Sequence, residues 1–187
     1  MMKNLSFLIL LTIFTFQSFA QNCTTLGQNA TSAFPVCGTA QFTQSTVPVC
    51  GNNTVPNKKC SGDVLTDKNP FWYKFTCFTT GTLAFKIIPN SSSSDYDWQL
   101  FDITGRNATD VYTDASLIVA CNWSGETGTT GASSSGTSLF VCATSSDRPN
   151  QPLFSAMPTL IAGHEYLLLV SHFSDSQAGY TLSFGGG

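Results

Sequence analysis

The chain has 187 residues, eight basic and eleven acidic, for a formal net charge of −3, and no basic patch that would suit nucleic acid. Charged residues make up only 10% of it, and residues 1–20 read as a removable leader, so about one domain's length remains to build a core. Lys3 supplies the positive start of that leader, Leu5 to Phe16 its apolar run and Ser18-Phe19-Ala20 a small-x-small cleavage site. The run is shorter than the ~20 residues a membrane span needs. Ala20-Gln21-Asn22 before Cys23 does not form a lipobox-like approach. Losing Lys3 leaves seven basic against eleven acidic residues, a net −4 for the mature chain. No later run is long and apolar enough to span a bilayer as a helix.

Residues 21–62 carry four of the seven cysteines, with Pro35, Pro48 and Pro56 and little periodicity. Short pieces around Pro35 and Pro48 suit edge strands, since proline cannot donate a ladder hydrogen bond. The stretch is expected to be a disulfide-stapled segment packed on a main domain spanning 63–187. Cysteines in an exported chain default to disulfides. No Cys-x-x-Cys is present to suggest zinc. Cys37 with Cys50 and Cys121 with Cys142 are the expected local pairs, with one thiol left over from the odd count.

From Pro70 the alternation becomes regular. Phe71, Tyr73, Phe75 and Cys77 fall on one face of a strand, and Trp72, Lys74 and Thr76 on the other. Leu83, Phe85 and Ile87 alternate after the Thr80-Gly81 turn. In Asp95–Asp102, the clearest strand, Tyr96, Trp98 and Leu100 share one face and Asp95, Asp97 and Gln99 the other. Ser116–Trp123 is a further strand, with Leu117, Val119, Cys121 and Trp123 aligned. Residues 124–138, rich in Gly, Ser and Thr, are expected to form a mobile polar loop, and 144–152 a second polar loop, with a short strand between. Glu165–Ser171 is apolar on both faces at its centre, as a strand in the middle of a sandwich would be. Gly179–Phe184 closes the series with Tyr180, Leu182 and Phe184 inward. Short strands separated by turns, with no amphipathic helix and no repeat, imply an all-β, antiparallel, jelly-roll-like β-sandwich.

Several residues are candidates for chemistry. Asp95 and Asp97 lie ~7 Å apart on one strand face; with Asp102, or with Asp63 and Asp67, they would form an oxygen-rich calcium site. Otherwise they are a solvated edge. Glu126 and Glu165 are the only glutamates, and nothing places them across a glycosidase cleft. His164 and His172, eight residues apart, would be ~26 Å apart on one strand, too far to share a proton relay. No Gly-x-Ser-x-Gly elbow is present. Trp72, beside Lys74 and Thr76, would either stack on a sugar or partner, or be covered by the N-terminal segment. Trp98 and Trp123 read as core.

Two resemblances rest on these residues. Gly81-Thr82-Leu83, Asp95 to Asp102, Leu160 to Val170 and Gly179 to Leu182 resemble bacterial pre-peptidase C-terminal domains. That likeness implies a jelly-roll-like sandwich that binds surfaces or substrates without catalysis of its own. Cys37-Gly38, Asn69 to Cys77, Cys121 to Gly128 and the final Gly179 to Gly187 resemble the N-terminal region of large surface proteins that carry gliding-motility-associated C-terminal domains. This second likeness spans nearly the whole mature chain. It implies an exported cell-surface binding or adhesion module that leaves through type IX secretion, either as a fragment of a larger adhesin or as a stand-alone module. The alternative is a carbohydrate-binding or targeting domain of a secreted enzyme. The expected partner is a surface glycan or protein ligand. No cofactor beyond the calcium considered above is implied.

Overall fold

A computed structural model describes residues 22–37, 41–60, 62, 64–143 and 150–185. The expected leader, Asp63 and most of the second polar loop lie outside them. The strands in the first part are β1 (Phe34–Pro35), β2 (Gln41–Thr46), β3 (Thr54–Val55), β4 (Leu65–Thr66) and β5 (Phe71–Thr76). The middle holds β6 (Gly81–Thr82), β7 (Phe85–Pro89), β8 (Tyr96–Asp102), β9 (Ile118–Asn122) and β10 (Thr130–Ala132). The last are β11 (Phe140–Val141), β12 (Phe154–Ser155), β13 (Thr159–Leu160), β14 (Glu165–His172) and β15 (Ala178–Phe184). Short 3₁₀ turns occupy Ala30–Ser32, Ala108–Tyr112 and Ala115–Leu117. The fold is all-β, as the alternation implies, and no helix among the described residues is long and apolar enough to cross a membrane.

Two sheets carry the architecture. One has the order β1-β5-β14-β8-β9-β11, the other β12-β10-β7-β15-β2. The long pairs are antiparallel, but the short edge pairs β1–β5, β9–β11 and β10–β12 are parallel, so both sheets are mixed. β1 and β2 are edge strands of different sheets, so residues 34–35 and 41–46 are woven into the sandwich as well as lying beside it.

Register explains the packing. β14 is central: Leu168 pairs with Tyr73 on one side and Leu100 on the other. Even-numbered residues of β8 and β14, with Phe71 and Tyr73 of β5, point at the second sheet and meet Phe85, Ile87, Tyr180 and Leu182. The Trp98 ring stands edge-on to Phe85, with centroids 4.8 Å apart. The phenols of Tyr73 and Tyr180 hydrogen-bond across this layer at 2.8 Å, and burial pushes the Tyr73 hydroxyl up to about 12.

Odd-numbered residues of β8 and β14 point the other way. Phe101, Leu167 and Leu169 join Trp72, Cys121 and Trp123 in a second cluster closed by Ala30, Val55, Val111 and Leu117. The cover is the N-terminal segment and the 108–117 turns. This is why β14 is apolar on both faces, at roughly 1.5–3 kcal/mol for each buried leucine.

Three expectations need correction. Residues 124–138 are not a loop throughout. Thr130–Ala132 forms buried strand β10 against β7. Gly131 makes this possible: at φ 151°, an added Cβ would sit 2.1 Å from the Phe85 carbonyl oxygen, so only glycine lets the backbones approach. The disulfides are Cys23–Cys50 and Cys60–Cys142, so Cys50 does not pair with Cys37, nor Cys142 with Cys121. The fold joins cysteines 27 and 82 residues apart, and loop proximity in sequence was a poor guide. Val119 leaves the expected shared face and packs on the inter-sheet cluster, because the β8–β9 register shifts between Leu100 and Phe101.

Candidate functional site

A cleft of about 140 Å³ opens where β8 begins and β14 ends, on the face covered by the N-terminal segment. Its floor holds Asp95 and Asp97, 8% and 6% exposed, together with Trp123. Strand pairing sets the floor: Asp97 faces Ser171 across the ladder. The Ser171 hydroxyl bonds the carbonyls of Thr66 and Lys68 at 3.2 and 2.9 Å, and the His172 N–H donates to the Lys68 carbonyl. These bonds tie the loop after β4 to the end of β14.

Lys68 and Phe173 form the rim. The Lys68 ammonium donates to the Phe173 carbonyl at 2.6 Å and to Asp175 at 3.0 Å. It lies 5.1 Å from the centre of the Phe173 ring, which is 63% exposed. The Asp95 N–H takes the Ser174 hydroxyl as acceptor at 2.8 Å, and its carbonyl accepts from Phe173, so the rim is anchored to the floor. Trp123 is buried, its indole N–H donating to Gln99 at 2.8 Å, while the Gln99 amide donates to the Pro56 carbonyl. Carboxylates, an ammonium, backbone carbonyls and an apolar ring thus meet in one concavity, which suits a polar ligand with one apolar face.

Next to this cleft His172 is fully buried and stacks on Tyr96 at 4.4 Å. Its ring nitrogens find no hydrogen-bond partner among the described residues. Burial first, then the nearby Lys68 charge, pushes it down to about 4, against a smaller opposite pull from Asp175.

The other sequence candidates fall elsewhere. Asp102, five residues beyond Asp97, turns to the opposite face of β8 and lies ~17 Å along it. It does not join Asp95 and Asp97 in a calcium site. It meets His164 at 2.7 Å and accepts from the Thr104 hydroxyl and backbone. Burial pushes its carboxyl up, but the Thr104 and His164 hydrogen bonds outweigh that and hold it below its ordinary value. Asp67 is committed to the fold: it accepts from the N–H groups of Asn52 and Asn53 and from the Tyr112 hydroxyl. Among the described residues no group of three or more His, Cys, Asp or Glu is gathered to hold a metal.

Trp72 is not a ligand contact. It is completely buried, packed against Phe101 and Tyr112, and its backbone N–H bonds the Gly27 carbonyl. The segment that had to cover one face of β5 covers this residue. Sequence reasoning missed Lys68, Ser171 and Phe173, which belong to no alternation; only the tertiary fold joins them to Asp95 and Asp97.

At the opposite end of the sandwich a larger apolar mouth, about 320 Å³, opens between the two sheets. Phe75, Leu83 and Phe184 line it, with the free thiol of Cys37 at its rim. Cys77 and Cys121 are also free but buried, and burial pushes the Cys121 thiol up to about 12. Compared with known proteins, the chain matches no family model, no curated protein and no solved structure.

Proposed function

We propose that this chain is a non-catalytic, exported binding or adhesion module of the cell surface. The observation that carries the reading is the cleft at the β8–β14 end, where Lys68, Asp95, Asp97 and Phe173 are held on a double-sided, fully packed sheet. A rigid sandwich presents such end surfaces to partners without needing to move. Two disulfides fit an oxidising, non-cytoplasmic compartment. The leader-like start and the likeness of Asn69 to Cys77 and Cys121 to Gly128 to the N-terminal region of gliding-associated surface proteins point the same way. The Asp102–His164 pair is accounted for by orientation: it anchors the end of β8 to the start of β14, and the facing Cys77 thiol donates to the Thr79 carbonyl.

The second reading, a carbohydrate-binding domain of a secreted enzyme, is favoured by the exposed Phe173 ring beside Lys68. One experiment weighs both. The disulfide-intact protein is screened on a glycan array and against host and bacterial surface proteins, and assayed for hydrolysis of polysaccharide and peptide substrates. Retention on a surface ligand that weakens in Lys68→Ala and Phe173→Ala supports the cleft as the binding surface. Retention on a single glycan class, lost in Phe173→Ala, selects the carbohydrate reading. Robust hydrolysis overturns the non-catalytic one.

A further inference from the structure

We propose that Cys37 and Cys77 are the two halves of a third disulfide, which fastens edge strand β1 to β5 at the apolar mouth of the sandwich. Strand register carries the argument. β1 runs parallel to β5 with Phe34 opposite Tyr73 and Pro35 opposite Lys74, and the Val36 N–H extends the ladder to the Lys74 carbonyl at 2.8 Å. Continuing that register sets Cys37 opposite Thr76, one residue from Cys77. With strands ~4.8 Å apart and a rise of ~3.3 Å per residue, the two Cα atoms lie roughly 6 Å from each other. That is inside the ~4.4–6.8 Å range that a disulfide spans.

Closing the bond requires Cys37, exposed in this structure, to turn inward towards the face on which Cys77 is buried. Cys77 belongs to the inter-sheet cluster with Val36 and Leu160. β1 ends at Pro35, so Cys37 is released from strict alternation, and it lines the same mouth as Thr76, Phe78 and Leu160. Cys37 therefore borders the opening, and Cys77 is buried one residue beyond Thr76, which lines it. The two cross-links already present tie Cys23 to Cys50 and Cys60 to Cys142, and neither fastens β1, which holds only two residues. Pairing Cys37 with Cys77 also resolves the odd count of seven, leaving only the buried Cys121 as a thiol.

The chemistry needs an oxidant, and a small disulfide such as oxidised glutathione supplies it. The exposed Cys37 thiolate attacks one glutathione sulfur and releases the first reduced glutathione. The Cys77 thiol gives up its contact with the Thr79 carbonyl, loses its proton and displaces the second glutathione from Cys37. In total two protein thiols and one oxidised glutathione become one protein disulfide and two reduced glutathiones.

The test is a thiol count. The protein is refolded in a reduced/oxidised glutathione buffer, then denatured without reductant, alkylated and weighed intact. The expected result is one alkylated thiol per chain. A non-reduced digest should contain a linked peptide pair holding Cys37 and Cys77. Cys37→Ser, at an exposed position that leaves the core intact, should raise the count to two, and Cys121→Ser should lower it to zero. Three alkylated thiols would overturn the proposal. So would Cys37 held as a glutathione adduct, paired with another cysteine, or found in a disulfide-linked dimer that vanishes in Cys37→Ser.

Discussion

Across β8 and β14, even-numbered side chains meet a second hydrogen-bonded sheet, whereas odd-numbered ones meet an irregular segment held by cross-links. The first interface is a layer of interlocking rings: Trp98 on Phe85, Tyr96 on Tyr180, and Phe75 edge-on to Phe184. Its geometry is set by two ladders that satisfy their own backbone groups. The second interface has no ladder of comparable length to organise its cover. It relies on Cys60–Cys142, on Asp67 capping the backbone of Asn52 and Asn53, and on Gln99 bridging Trp123 and Pro56. The lesson is that one sheet can be buried twice by unlike means: repetitive pairing on one side, and individually placed polar and covalent ties on the other. The cleft lies on the irregular side, where the cover ends.

The sharpest way to break the contrast is to remove a ring from the inter-sheet layer. Trp98→Ala is expected to cost ~3–5 kcal/mol in urea unfolding, because a fully buried indole leaves a cavity between two sheets that cannot collapse. Next comes the covalent tie on the other face. The double variant Cys60→Ser/Cys142→Ser should lose ~2–5 kcal/mol. Hydrogen exchange should show the loss around residues 54–60 before it reaches β7 and β15. If both sheets open together, the two faces are not separable units.

A third measurement separates the faces by pH. His172 has a folded value of about 4 against an ordinary 6.5, so between these the unfolded chain binds the extra proton. Stability is full above about pH 6.5 and should fall by up to about 3 kcal/mol as pH drops towards 4. His172→Phe, which keeps the stack on Tyr96, should flatten that slope. The depressed Asp102 acts in a lower window: its contribution is present above its unfolded value and lost as pH falls through its folded one. The smallest effect belongs to Lys74–Glu165, an ion pair of 3.1 Å whose side chains are each 43% exposed. Lys74→Ala should change stability by less than ~1 kcal/mol, and added salt should erase the difference.

Much of this was legible in advance. Strands such as Tyr96–Asp102, Glu165–His172 and Ala178–Phe184 appear where the alternation puts them. Period two is a local property: each side chain's face follows from its neighbours' positions in the chain. The double-sided apolarity of β14 likewise announced that something covers both faces. Gly131 hid a buried strand, because a residue without a side chain contributes nothing to an apolar pattern yet permits the close approach to Phe85.

By itself, then, the chain's pattern determined the class of fold, the principal strands and their inward faces, because those depend on short-range alternation and on the burial of apolar area. Only the tertiary structure decided which cysteines meet, that Trp72 is sealed under residues 27–30 and Tyr112, and that Lys68 and Phe173 join Asp95 and Asp97 in one cleft while Asp102 does not. Those are contacts between residues tens of positions apart, fixed by the order and register of strands in the sheets, and no local period encodes that order.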